Sequence, residues 1–469
     1  MTIELPRNGR IVVIDDKAEE AAPLIRALSK KGFPVTYFTG NIEDLPEKGL
    51  PDMRIIFADI SLNTEGQSDK NKFSAISSII KKIIGEERFF YIIVVWTKHD
   101  ELFDDLKEYW QNANINIKPL LILDLEKTDC IDNDGDYSVE KIESKLNDKL
   151  EDLGVLYPFM KWENIIHDST EEIIKNFFGF YDKKLSNEDI NKEILKLFNN
   201  LATAYAGKQN KTDKIINALM ALGSILSDSI ENKIKNTFNQ EDYKFCSSSA
   251  ENTDDLQIIA EINKKILIAD IQSSTDVYKI TPGDVFEIPL NWNFVKKHNV
   301  YDYINEETVI ELFAKSKSIN ESEVSDKFGG RLKIKNEFKN EFKKYFKLYR
   351  NELEKKLKYV LCEVTPYCDY SQDKWKSHKL IYGIVWPYYE DHRNIIKKAE
   401  YLYQTPIFRF DNENIKIIFD FRYFTSLPFD CIDNIKPKPI FRIRQQLLVD
   451  VQSHLSRQIN RPGIIFLDA

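Results

Sequence analysis

Residues 11–33 read IVVIDDKAEEAAPLIRALSKKGF. Four β-branched residues in a row, Ile11–Ile14, run directly into an acidic pair, Asp15-Asp16. From Ala18 to Lys31 the apolar residues Ala21, Leu24, Ile25 and Leu28 recur at helical spacing, and Lys30-Lys31-Gly32 closes the segment. A strand buried on both faces, a carboxylate-bearing turn and an amphipathic helix are the opening of a parallel βαβ unit.

The same alternation continues outward from this stretch. Further short apolar runs stand at Val35–Phe38, Arg54–Ala58, Tyr91–Trp96 and Pro119–Leu125. They predict a five-stranded, doubly wound, flavodoxin-like α/β domain over residues 1–150, with its reactive groups at the carboxyl ends of the strands. The polar run DCIDNDGD (129–136) is not a calcium loop. Counted from Gly135, its first and twelfth positions are Cys130 and Lys141, where carboxylates are needed.

Read at their carboxyl ends, the strands deliver Asp15-Asp16, then Asp59, then Thr97, then Lys127. Carboxylates converging on one point repel unless a cation lies among them, and oxygen donors with room for water suit Mg²⁺. A hydroxyl and an ammonium on neighbouring strands complete what phosphoryl transfer to a carboxylate requires.

With IIFADISL at 55–62 and IIVVWTKHD at 92–100, the segment resembles the receiver domain of two-component response regulators over about residues 8–150. That resemblance implies Asp59 as phosphoacceptor, with Asp15, Asp16, Asp59 and the backbone carbonyl of Ser61 as Mg²⁺ ligands. It implies Thr97 and Lys127 as phosphate-binding groups. Three positions differ from the usual receiver: Lys98 follows the Thr, Thr128 follows the Lys, and Asp124 stands at the aromatic position of strand five.

Composition bounds the rest. At 469 residues the chain suggests about three domains, and 42% hydrophobic residues can fill their cores. A net charge of −9 gives no global reason to bind nucleic acid or an anionic membrane. Five cysteines without a Cys-x-x-Cys pair argue against a disulfide framework and a zinc site. No apolar run approaches a membrane span and no signal-peptide layout is present, so a cytoplasmic protein is expected.

Residues 151–265 are expected to form a helical middle region, its clearest stripe being Ile216, Leu219, Leu222, Ile225, Leu226 and Ile230. Residues 266–469 are expected to form a β-rich α+β domain, possibly barrel-like, with a helical insertion at about 305–357. Phe441–Leu455 reads as a closing helix. Thr281-Pro-Gly-Asp284, Cys368-Asp369 and Arg461-Pro-Gly463 are similar to β-barrel-like modules of bacterial conflict (antiphage) proteins. This weaker resemblance implies an effector or docking role with a histidine-kinase-like or Hsp90-type ATPase partner.

Catalytic candidates here are Asp284, Asp369 and Cys368. Cys368 needs a base, and His378 is near in sequence, yet a buried cysteine at a strand end is the favoured reading. Asp284, Asp369 and Glu363 suit a metal site for phosphodiester hydrolysis only at a spacing the sequence does not present. In 331–358 aromatics alternate with lysines, so single-stranded nucleic acid is conceivable. One face of an amphipathic helix packed on a core accounts for them more simply. The leading expectation is a receiver switch controlling a C-terminal effector in defence signalling. A receiver-regulated nuclease and a phosphorylation-independent scaffold are the alternatives.

Overall fold

The computed structural model describes residues 10–50, 53–60, 62, 68–85, 90–97, 102–112, 118–132, 136–150, 156–179, 186–207, 214–238, 254–271, 280–288, 299–372, 374–390, 394–429 and 439–459. Ser61, Lys98, Cys246, Cys431 and Arg461-Pro462-Gly463 lie outside them. The chain divides into two compact units: residues 1–197 with 219–250, and residues 198–218 with 251–469.

In the N-terminal unit the five runs become β1 (Arg10–Ile14), β2 (Val35–Phe38), β3 (Met53–Ala58), β4 (Ile92–Thr97) and β5 (Leu121–Glu126). They pair in parallel in the order β2-β1-β3-β4-β5, the doubly wound flavodoxin-like order. Helices α1 (Ala18–Lys30), α2 (Asp69–Ile84), α3 (Phe103–Asn112) and α4 (Val139–Leu150) accompany them.

Burial on both faces explains the unbroken β-branched runs. Ile11 and Val13 of β1 pack with Leu24 and Leu28 of α1 and with Ile142 of α4. Val12 and Ile14 pack on the other face with Phe73, Ile76 and Ile80 of α2 and Trp110 of α3. Each such aliphatic side chain contributes roughly 1.5–3 kcal/mol on burial. The β2–β3 crossover differs from the others. Among its described residues it holds only one 3₁₀ turn, Ile42–Asp44, in place of a helix.

The middle region is helical, as expected: α5 (Leu156–Phe178), α6 (Asn187–Ala206), α7 (Lys214–Thr237) and α8 (Leu256–Leu267). The stripe on α7 is not a core seam. Ile216, Leu219 and Ile225 are exposed. Periodicity set the helix there, but nothing among the described residues covers that part of its apolar face.

The C-terminal unit is built on an eight-stranded antiparallel, half-barrel sheet. Its strands are β6 (Ile268–Ala269), β7 (Asp284–Glu287), β10 (Lys358–Glu363), β11 (Ser377–Pro387), β12 (Leu402–Gln404), β13 (Phe408–Phe410), β14 (Glu413–Pro428) and β15 (Pro439–Ile443). The order is β12-β14-β11-β10-β7-β15-β6, with β13 on β14. Where β11 meets β14 the register jumps between Ile381 and Tyr382, so that Phe421–Tyr423 stand off the ladder and β14 can bend.

Helix α9 (Glu306–Lys317) and helix α10 (Lys339–Glu354) cover one face of this sheet, through Val309, Phe313, Phe342 and Leu353. Helix α11 (Gln445–Ile459) covers the other through Leu447, Leu448, Val451 and Leu455. Phe441–Ile443 thus closes a strand, and the helix expected to start at Phe441 starts at Gln445. The insertion is also not helical throughout. Between α9 and α10 lies a separate two-stranded ribbon, β8 (Ser325–Phe328) and β9 (Arg331–Ile334). Gly329 and Gly330, with φ of 59° and 77°, make its turn in the left-handed region that other residues resist. Among the described residues no helix is long and apolar enough to cross a membrane.

Candidate functional site

Asp15 follows the last residue of β1, and its Oδ1 accepts the backbone N–H of Lys17 at 2.9 Å. This Asx-type bond turns the chain from strand into α1. Asp59 follows β3, its own N–H donating to the carbonyl of Ile14 at 3.0 Å. Lys127 follows β5 and begins a 3₁₀ turn, Lys127–Cys130. The parallel order brings these three to one end of the sheet, β1 beside β3 and β5 one strand further across β4.

The Lys127 ammonium is the centre of the arrangement. It lies 2.9 Å from Asp15 Oδ2, 2.8 Å from Asp59 Oδ2 and 3.3 Å from Glu20 Oε2. Lys127 and Asp15 are each 1% exposed, so these contacts are shielded from solvent. The hydroxyl of Tyr37, on β2, donates to the Asp15 carbonyl at 2.7 Å and ties the rim of the pocket to the neighbouring strand.

Burial alone would lower the Lys127 pKa, but the carboxylates of Asp59 and Asp15 more than offset it and hold the ammonium above the ordinary lysine value. Asp15 moves upward: its burial outweighs the help of Lys127 and of the Lys17 amide, and Asp59 adds to the rise. The asymmetry has a simple cause. Lys127 faces three carboxylates at once, while the Asp15 carboxyl is held largely by burial. Tyr37 is raised too, by burial and then by Asp15 and Asp16.

Asp15, Glu20 and Asp59 each present a carboxylate oxygen, all within 4.8 Å of one another. Three hard oxygen donors on a mouth at the strand ends fit a Mg²⁺ ion. Their charges with that of Lys127 sum to −2, which a divalent cation would neutralise. Glu20, in the first turn of α1, was not evident from sequence. An acidic first turn directly after an acidic strand end is the signal that points to it.

The other expected residues are placed as follows. Asp16 is half-buried and close enough to act electrostatically on Tyr37, but it is not one of the three clustered carboxylates. Thr97 ends β4 opposite Glu126; its side chain, like Ser61, lies outside the described residues. Asp124 is half-buried within β5.

In the C-terminal unit the candidates are engaged elsewhere. Asp284 is buried; it accepts from the Thr281 amide at 2.7 Å and from Arg442 Nε at 2.6 Å, locking a turn to β15. Glu363, also buried, accepts from the Thr365 amide and hydroxyl at 2.9 and 2.5 Å and faces His378 Nδ1 at 2.7 Å. Cys368 is exposed rather than buried. Its Sγ contacts Asp369 at 3.8 Å, and Asp369 pairs with Lys379 at 3.5 Å. Among the described residues Asp284, Glu363 and Asp369 do not form a metal-ligating group; the trio around Lys127 does.

No protein-family model matches the chain, and no curated protein matches it. Among solved structures it is similar to full-length FixJ from B. japonicum, at 16% identity and a TM-score of 0.20, over 49% of this chain and 98% of that one.

Proposed function

We propose that the N-terminal unit is a receiver-like switch in which Asp59 accepts a phosphoryl group and the change is passed to the C-terminal unit. The observation that carries this reading is the buried Lys127 ammonium shared by Asp15 and Asp59 at the carboxyl ends of a β2-β1-β3-β4-β5 sheet. In the transfer, an Asp59 carboxylate oxygen forms a bond to phosphorus while the bond from phosphorus to the donor's leaving atom breaks, an oxygen in acetyl phosphate or a ring nitrogen in a phosphohistidine. The charge that develops on the phosphoryl oxygens needs cations already in place. Lys127 supplies one, moving its hydrogen bond from Asp59 to a phosphoryl oxygen. Asp15 and Glu20, with Asp59, would hold Mg²⁺, which would supply positive charge against the charge that develops in the transfer. Thr97 and the Ser61 carbonyl are assigned their roles from the resemblance of the sequence alone. So are a histidine-kinase-like or Hsp90-type partner and a setting in bacterial defence.

Acetyl phosphate or beryllofluoride with Mg²⁺ tests the proposal. Intact-mass measurement should show one phosphoryl group on the wild type and none on Asp59→Asn. If neither reagent changes mass, hydrogen exchange or oligomeric state in the wild type, the unit is a scaffold and not a switch.

A further inference from the structure

Residues 327–350 contain nine basic and two acidic side chains, in a chain whose net charge is −9. The aromatic stripe of this segment does pack inward: Phe338, Phe342, Tyr345 and Tyr349 belong to the core under α10. The cations do not follow the same account. Elsewhere in this unit lysines and arginines find carboxylates, as in Lys317–Glu341, Lys358–Asp411 and Arg422–Asp420. Among the described residues, Lys327, Arg331, Lys339, Lys343 and Lys347 have no carboxylate within 4.0 Å.

The β8–β9 ribbon shows how they are presented. Its register pairs Phe328 with Arg331, Asp326 with Lys333 and Lys327 with Leu332. Leu332 and Ile334 turn into the core, so Phe328, Arg331 and Lys333 share the outward face with Asp326, while Lys327 lies on the side of Leu332. Phe328, beside the Gly329-Gly330 turn, is 71% exposed, the most exposed large hydrophobic side chain among the described residues. Lys333 Nζ sits 4.8 Å above its ring. Along α10, Lys339, Lys343 and Lys347 fall at i, i+4 and i+8, a row of charges about 6 Å apart.

We propose that this ribbon and the lysine row of α10 are the docking face for a nucleic-acid strand. The lysines and Arg331 would meet phosphates, and Phe328 would stack on an unpaired base. A purely electrostatic partner such as an acidic protein segment would use the cations but has no need of an exposed aromatic ring beside the ribbon's turn. Every nucleobase, by contrast, offers a π-face to one.

The test is fluorescence anisotropy of the full chain with labelled single-stranded RNA, single-stranded DNA and duplex of about 20 nucleotides, between 50 and 200 mM salt. Single strands are expected to bind, with a slope of log K against log salt near −3.5 for about five neutralised phosphates. Phe328→Ala should weaken single-strand binding about 5- to 150-fold. Lys339→Gln/Lys343→Gln/Lys347→Gln should flatten the slope by about two units, with an unchanged circular dichroism spectrum in both variants. The proposal is overturned if the folded wild type binds no strand at 50 mM salt, or if Phe328→Ala binds as the wild type does. It is also overturned if polyglutamate competes on equal terms, which would assign the face to an acidic protein partner.

Discussion

Replacing Lys127 by Met keeps the length of the side chain and removes the ammonium that bridges Asp15 and Asp59. At 2.9 and 2.8 Å and an effective dielectric of about 20, each contact carries roughly 6 kcal/mol of Coulomb energy. Desolvation of three buried ions offsets most of this. What remains on breaking such a pair is the uncompensated buried charge, about 3–5 kcal/mol. The expected result, at pH 7 without divalent ions, is amide exchange in β1 and β3 faster by a few hundred- to a few thousand-fold, at about 1.36 kcal/mol per decade. Hydrogen-exchange mass spectrometry reads these strands separately from the C-terminal unit. Millimolar Mg²⁺ should slow exchange in the variant by supplying the missing charge. Lys127→Met/Asp59→Asn should recover much of the protection with no metal at all. Exchange within threefold of wild type in metal-free Lys127→Met would refute the reasoning, because the ammonium would then not be balancing the carboxylates.

Alkaline pH should act in the same direction. Lys127 is raised above the usual lysine value in the folded state, so its contribution is complete below about pH 10.5 and is lost as pH rises through the folded value. Tyr91, Tyr303 and Tyr382, raised by burial, have the same sign from about pH 10, and urea midpoints should fall steeply there with tyrosine ionisation lagging behind free tyrosine. Brief alkylation with iodoacetamide, mapped by peptide mass, should label Cys368 before the other two described cysteines; Cys130, its thiol pushed up to about 11 by burial, and the buried Cys362 should react only on unfolding. Gly283→Ala should destabilise the C-terminal unit by about 2 kcal/mol or more, since φ is +91° and the new Cβ would meet the Ile443 carbonyl at 2.5 Å. A urea midpoint unchanged from wild type would show that the turn can relax.

The sheet of the N-terminal unit was legible because its central strands β1, β3 and β4 are buried on both faces, so that runs such as Ile11–Ile14 and Ile55–Ala58 leave no polar position to confuse the pattern. Asp15 and Asp59 were legible for a related reason: each is the first charged residue after such a run, while Lys127 follows Glu126 at the end of β5. Glu20 and Tyr37 were not. Whether Glu20 reaches the pocket depends on the rotation of α1 about its axis, and Tyr37 matters only because β2 lies beside β1. Both are facts of packing rather than of spacing. The β8–β9 ribbon was hidden by its flanks, since the long lysine-rich helical stretch around it masks a short signal. The paired glycines and the alternation of Leu332 and Ile334 with Arg331, Lys333 and Lys335 are what mark it. The exposed stripe of α7 teaches the opposite caution, for a helical period reports a helix but not what covers it.

The strand order of the C-terminal unit also has a consequence in time. In the N-terminal sheet each strand, as it is made, pairs with one already made: β2 and β3 with β1, β4 with β3, β5 with β4. Strand β7 has no such partner. Its neighbours are β10 and β15, and Arg442, which pins Asp284, lies 158 residues downstream. At roughly 5–20 residues per second, synthesis leaves one edge of β7 open for about 8–30 s after it emerges. Val285 and Phe286 then sit on an apolar strand with unpaired amides, the template that foreign strands join. The growing chain therefore has a window in which this unit needs a chaperone, and slow codons placed between β10 and β15 would lengthen it.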